Sequence, residues 1–363
     1  MAKAPSILIV GAGPTGLTAA LELARRGFAP RIVDRNAGPT PLSKAVGINP
    51  RSLDLLEPGG VTERLLAAGI RIQEGHVHYD GRELAILRLS RLPHRFNFLL
   101  ALPQSDTENL LAQRLAELGV TVERRTALTG LRDGGDAVEV TLESPEGRAE
   151  ATCDLVFGAD GVHSTVRETL GLDFAGYTHA RTWSIADAEI ADWPYAPAAA
   201  NLFLQQGGDV GFVIPIGPQR FRAVSNTPDA LARIPGGYRV TQLLRSDTFK
   251  IPVRQVATYH SGSVYLGGDA AHVHSPVGGR GMNLGIEDAA TFVLLFAEGG
   301  LEGYTAARHG IGARWIKASE GVLSAVQSTS AARVALRNAA LWTVGRLPLL
   351  QRRLLARAAG LTD

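Results

Sequence analysis

The sequence holds a single cysteine, Cys153, among its 363 residues. One thiol cannot close an intrachain disulfide or build a thiolate cluster, so a reducing compartment fits and no metal site is expected. An excess of charge of either sign is missing too, since 37 Lys and Arg stand against 35 Asp and Glu, a net +2. That balance leaves no electrostatic footprint for nucleic acid or for an acidic partner. No uninterrupted apolar stretch is long enough to span a bilayer, and a strand pattern that begins at Ser6 leaves no room for a secretory leader. The chain therefore reads as cytoplasmic, without a membrane span. Repeats and low-complexity segments are likewise absent. The length makes two domains more natural than one.

What is present is organised around Ser6 to Gly27. The apolar run Ile7-Leu8-Ile9-Val10 opens directly into Gly11-Ala12-Gly13-Pro14-Thr15-Gly16, followed by a helical pattern from Leu17 to Arg26. This is G-x-G-x-x-G between a strand and a helix. Gly11 permits the tight turn, Gly13 lets backbone approach a pyrophosphate at the helix N-terminus, and Gly16 lets helix and strand pack closely. A second strand, Pro30 to Val33, delivers Asp34 at the distance where an acid reaches a ribose hydroxyl. A dinucleotide site follows from the combination.

Asn49-Pro50 starts a helix with an N-cap and proline at N1. From Ile70 to Phe98 the pattern changes to short alternating strands. The chain returns to helix near Gln104, with Ser105 and Glu108 spaced as a capping box. Strands follow to Thr152. A buried strand, Leu155 to Phe157, ends in Gly158-Ala159-Asp160-Gly161. Between Tyr177 and Val253 the pattern is alternating and aromatic, as in an antiparallel sheet, with one helical period at Val240 to Leu244. Another buried strand, Ser263 to Gly267, ends in Gly268-Asp269. A glycine-rich loop from Ser275 to Gly281 then precedes a helix from Met282, and the rest is helical.

Three glycine-plus-acid corners, at Gly11 to Gly16, Gly158 to Gly161 and Gly268-Asp269, each follow a buried strand, where open α/β sheets place ligands. Together with Gly-Ala-Asp-Gly-Val-His-Ser-Thr-Val-Arg from Gly158 and Gly-Asp-Ala-Ala-His from Gly268, continuing through Pro276 to Asn283 and Glu287-Asp288-Ala289, they resemble the class A flavoprotein monooxygenases of the para-hydroxybenzoate hydroxylase type. The resemblance covers almost the whole chain. It implies an α/β fold: a Rossmann-type FAD-binding domain (1–70, 98–176 and 254–330), an interleaved antiparallel-sheet substrate domain (71–97 and 177–253) and C-terminal helices (331–363).

The resemblance also implies FAD, with the pyrophosphate on Gly11, Gly13, Pro14, Thr15 and Gly16, and Asp34 with Arg35 at the adenosine ribose. Gln104 and Asp269 match the family's contacts to the ribityl and pyrophosphate region, and Leu128 an apolar contact near adenine. Asp160 either serves both FAD and NAD(P)H or caps a helix. Lys44 stands where the family usually has Arg, keeping the charge without the bidentate fork. The helix opening at Gly281, Met282 and Asn283 would favour the anion of reduced flavin through its free N–H groups. Pro276 would lie in the loop over the flavin.

The implied reaction takes NAD(P)H and O2 and hydroxylates an aromatic or polyketide-like small molecule through a flavin C4a-hydroperoxide. Phe203, Phe212 and Ile214 either face the substrate or form ordinary core. A halogenase is disfavoured by the absence of Trp-x-Trp-x-Ile-Pro. A flavoprotein that binds a ligand without turnover is the reading from another class. The basic leucine-rich stretch from Arg346 to Leu355 is expected to pack its leucines on the body, the alternative being a membrane or partner contact.

Overall fold

The computed structural model describes residues 4–39 and 45–362. Its centre is a six-stranded sheet in the order His260–Ser261, Val264–Leu266, Leu155–Gly158, Ile7–Val10, Arg31–Asp34, Val122–Arg124. Every pair is parallel except the short outer one between His260–Ser261 and Val264–Leu266. All four residues of Ile7–Val10 are buried, as a strand covered on both faces requires. The helices Pro14–Ala24 and Gly281–Glu298 pack against each other.

This order sets the site. The strands Val264–Leu266, Leu155–Gly158 and Ile7–Val10 are neighbours, so the corners that follow them lie side by side at one carboxyl edge of the sheet. Residues 11, 158 and 268, far apart in sequence, become adjacent through strand order alone.

A second, seven-stranded sheet draws on residues 74–88 and 183–249. The hairpin Glu74–Tyr79 and Arg82–Arg88 joins it through a parallel pairing with Ala200–Leu204. Its outer strand, Arg239–Phe249, pairs along Trp183–Ala191. The helical period at Val240 to Leu244 is therefore a strand. Apolar residues at i, i+3 and i+4 imitate a helix there, and long-range pairing overrides the local pattern.

The capping box is also replaced. The helix Gln104–Glu117 already includes Ser105, and the Pro103 carbonyl accepts from the Asp106 and Thr107 N–H groups at 3.0 and 3.1 Å. The Asn49 start forms as its spacing predicts, with its Oδ1 accepting from the Ser52 N–H at 2.8 Å.

Strand alternation divides the seven-stranded sheet into two environments. One face carries Phe212, Ile214, Arg222 and Val224, and turns Phe212 and Ile214 towards Val46, Ile72 and Ala101. The other carries Phe203, Val213, Phe221 and Ala223 under a cover of Trp193, Tyr195 and Tyr238.

Candidate functional site

At the carboxyl edge of the parallel sheet lies a cavity of about 300 Å³ lined by Gly11, Gly13, Asp34, Arg35, Gln104, Leu128 and Asp160, together with Glu108, Arg124 and Ala159. Seven residues singled out in the sequence thus meet around one space. Gly11 has φ +103°, and a Cβ there would sit 2.3 Å from the Ala159 carbonyl oxygen. A Cβ on Gly16 would lie 1.9 Å from the Gly11 carbonyl oxygen, whereas one on Gly13 would meet nothing within 4 Å. Gly11 and Gly16 are therefore demanded by packing, whereas Gly13 leaves open space on the cavity side.

The helix Pro14–Ala24 starts here with no side-chain cap, and its first backbone bond runs from the Leu17 N–H to the Gly13 carbonyl at 2.9 Å. The N–H groups of Thr15 and Gly16 precede that bond, which makes this end an anion receptor. The Thr15 side chain points elsewhere: its Oγ1 lies where a Cβ on Gly268 or Gly285 would stand. Thr15 thus joins the first corner to the third instead of lining the cavity with its hydroxyl.

Asp34 accepts from the Ala12 N–H at 2.6 Å and from the Asn36 N–H at 2.7 Å, bracing the glycine turn while it lines the cavity. A carboxylate has about four lone-pair sites, so capacity for a hydroxyl donor remains. Gln104 donates to Glu108 Oε1 at 2.7 Å.

Ser164 is the N-cap of the following helix, accepting from the Arg167 N–H at 3.0 Å, and Asp160 braces the same first turn. Asp160 Oδ2 accepts from the Val166 N–H at 3.2 Å, and its Oδ1 is buried with no hydrogen-bond partner. Burial raises its pKa, outweighing the hydrogen bonds from Ser164 and neighbouring backbone that pull it down. An orphaned buried acceptor beside a helix N-terminus, facing a cavity, fits a ligand that combines hydroxyl donors with an anionic group.

At the third corner Asp269 is exposed in a short turn and lies outside the cavity lining. The acid that holds this corner is Asp288, which accepts from the Gly268 N–H at 2.9 Å, His272 Nε2 at 2.6 Å and Arg308 Nε at 2.6 Å. Burial alone would raise the Asp288 pKa, but Arg308 and His272 pull it down to about 2. Pro276 is exposed in the following loop, where its carbonyl accepts from the Gly279 N–H at 3.0 Å.

The helix Gly281–Glu298 opens with the N–H groups of Gly281, Met282 and Asn283 ahead of its first bond, Leu284 N–H to the Arg280 carbonyl at 2.8 Å. The Asn283 side chain is not available to a cofactor. Its Oδ1 accepts from the Asn49 N–H at 2.9 Å, and its Nδ2 donates to the Gly47 and Gly279 carbonyls at 2.9 and 2.8 Å. Full burial requires the amide to be satisfied, and the protein satisfies it. Asn283 thus clamps the helix opening to the segment Gly47–Asn49. Lys44 lies outside the described residues.

The three apolar substrate candidates separate. Leu202 pairs with Phe212 and Phe203 with Gly211, so Phe203 projects from the opposite face to Phe212 and Ile214. It is buried against His78 and Tyr195, at ring separations of 4.8 and 5.1 Å, and cannot line the same pocket. On the Phe212 face a buried ion pair went unanticipated: Arg222 binds Asp187 through two bonds of 2.7 Å and donates to the Ala45 carbonyl at 3.2 Å. Its trace in the sequence is a charge at a buried position of each strand, Asp187 in Trp183–Ala191 and Arg222 in Arg220–Ser225. Arg124 was legible in the same way, as the strand end opposite Asp34.

A parallel sheet with a G-x-G-x-x-G corner, a neighbouring orphaned acid and an attached antiparallel sheet defines a flavin-nucleotide-binding protein. The chain belongs to the FAD binding domain family, which matches residues 5–230 and 238–317. Its cofactor is accordingly FAD. It is 35% identical over 367 residues to 6-methylpretetramide 4-monooxygenase of Streptomyces rimosus, covering 93% of this chain and 64% of that protein. It is 30% identical over 336 residues to dialkyldecalin synthase of Streptomyces rugosporus, covering 85% and 70%. The solved anhydrotetracycline hydroxylase OxyS of Streptomyces rimosus superposes with a TM-score of 0.82 at 29% identity, over 99% of this chain and 76% of that one. The chain spans less than two thirds of the length of the first of these relatives.

Proposed function

We propose that this chain is an FAD-dependent monooxygenase that consumes NAD(P)H and O2 and hydroxylates an aromatic or polyketide-like small molecule. The observation that carries the reading is the convergence of three glycine corners and the opening of the helix Gly281–Glu298 on one sheet edge. Monooxygenases of aromatic and polycyclic compounds among the relatives support it. In this reading the segments 71–97 and 177–253 form the substrate part and 331–363 a tail. The single cysteine and the absence, among the described residues, of a helix able to cross a membrane support a cytoplasmic setting.

The fit to FAD rests on the donor set. Backbone N–H groups of Thr15 and Gly16 would hold the pyrophosphate, with Gly11 and Gly13 giving close approach. Asp34 and Arg35 would meet the adenosine ribose, Leu128 the adenine, and Gln104, Asp269 and Asp160 the ribityl and pyrophosphate region. Bound FAD supplies oxygen activation and transfer. The chain's own residues bind, orient and exclude water. Asn283 fixes the helix opening whose N–H groups favour negative charge. Phe212, Ile214 and Val224 offer an apolar wall, and the Arg222–Asp187 pair fixes a polar point upon it. Pro276 belongs to the loop that would cover the reacting ring.

The similarity to dialkyldecalin synthase and to the solved Diels-Alderase PyrE3 supports a second reading, a ring-forming cycloaddition on the same scaffold, which is redox-neutral and needs no NAD(P)H. Incubation of the FAD-loaded protein with NADPH or NADH, 18O2 and a panel of phenols and polycyclic aromatics separates the two. The first reading expects one labelled oxygen in a product. Conversion without NAD(P)H consumption or label favours the second.

A further inference from the structure

The helices Ala331–Arg346 and Pro348–Ala358 meet at a tight corner near Leu347 and attach to the body through one side. Leu355, Ala356 and Ala359 close over Leu92. Gln351 pins the second helix, donating to the Ile86 carbonyl at 2.9 Å and accepting from the Arg88 N–H at 3.0 Å. The expectation that the tail leucines pack on the body therefore holds for Leu355. Leu347, Leu350 and Leu354, at i, i+3 and i+7, form a second stripe that faces water. Leu349, 75% exposed, and Trp342, 50% exposed, extend it around the corner.

The charge around this stripe is predominantly of one sign. Residues 331–363 contain six arginines and one acid, Asp363. Arg337 is buried, and Arg333, Arg346, Arg352, Arg353 and Arg357 are exposed. The Arg346 guanidinium lies over the Trp342 ring at 4.0 Å, which places a cation and an indole together at the corner.

Single exposed leucines are ordinary, but a stripe with tryptophan among exposed arginines marks an interaction surface. The partner must accept apolar side chains to a shallow depth and carry negative charge around them. An anionic bilayer surface does both: leucines enter the acyl boundary, while indole and guanidinium groups stay at the headgroup level. No helix among the described residues is long and apolar enough to span, so contact would be in the plane of the membrane. We infer that the corner formed by Trp342, Leu347, Leu349, Leu350 and Leu354 docks this protein on an anionic lipid surface.

The test is co-sedimentation of the FAD-loaded full chain with vesicles of phosphatidylcholine alone or mixed with phosphatidylglycerol, at low and raised salt. Association with the phosphatidylglycerol vesicles, weakened by salt, is expected. The double variant Leu349→Glu/Leu350→Glu abolishes it while flavin content and melting temperature hold, since both side chains are exposed. Arg353→Ala and Arg357→Ala each weaken partition about five-fold, the loss of one surface-bound cation. Equal behaviour of the two vesicle types overturns the inference, as does binding that survives the double variant. Self-association that is lost in the double variant, without vesicle binding, overturns it in favour of a second copy.

Discussion

Replacing Asn283 with alanine removes three hydrogen bonds at once, those to the Asn49 N–H and the Gly47 and Gly279 carbonyls. Two of the three join segments that local sequence does not hold together: Asn283 is 234 positions from Asn49 and 236 from Gly47. Each bond contributes about 1 kcal/mol, and a buried partner left unsatisfied costs about 1–3 kcal/mol. Water entering the space left by the amide recovers part of that cost, so the loss is set at about 3–6 kcal/mol. With an unfolding entropy near 2.1 cal/mol/K per residue, a chain of this length melts about 4–8 °C lower. The functional consequence is separate. The helix opening at Gly281 loses its attachment to Gly47–Asn49, so the rise in melting temperature produced by saturating FAD should also shrink. The assay is thermal unfolding followed by circular dichroism with and without FAD. A variant that melts within about 1 °C of the parent and keeps the full FAD increment would refute the clamp, since the expected loss is several times larger.

Gly13→Ala and Gly16→Ala should differ in kind. The first adds a methyl to open space on the cavity side, so the apoprotein melts unchanged while FAD affinity falls at least about ten-fold; the second drives a methyl into the Gly11 carbonyl and lowers apoprotein stability as well. Titration of apoprotein with FAD and calorimetry read the two effects. Asp288, held at about 2 in the fold against an ordinary 3.8, contributes stability that is complete above about pH 4 and is lost as pH falls towards 2. That contribution is about 2 kcal/mol, and it should vanish from the acid limb of a pH-stability profile in Asp288→Asn. Phe203→Ala should cost about 3–5 kcal/mol of stability and leave ligand effects on the flavin spectrum intact. Phe212→Ala, on the opposite face, should weaken ligand-induced spectral change; equal behaviour of the two phenylalanines would contradict the assignment of faces.

The cofactor corner was legible because its demands are local. A strand, three glycines and a helix N-terminus within ten residues leave few backbone solutions, and Gly11 and Gly16 sit where any side chain would collide. Asp34 was legible as a strand end, and so was Arg124, had the parallel pairing of their strands been considered. The face of Phe203 was not legible, because a shift of one residue along a strand exchanges its two sides and only the pairing with Gly211 fixes which is which. Val240 to Leu244 misled for a related reason: its apolar spacing suits a helix, and its conformation is decided by Trp183–Ala191. Asn283 was recognised as belonging to the site, but its role depends on Gly47 and Asn49, which no local pattern connects to it. The role of Asp288 in holding the third corner has the same origin, since Arg308 completes the cluster from a different helix.

In the proposed function the bound flavin accepts electrons from a nicotinamide, and an aromatic ligand accelerates that transfer. The decisive measurement is the visible spectrum of the FAD-reconstituted protein mixed anaerobically with NADPH or NADH, with and without members of a phenol and polycyclic aromatic panel. Bleaching of the bound flavin, accelerated by at least one member of the panel, is expected. Bound flavin that neither nucleotide reduces, whatever ligand is present, would contradict it.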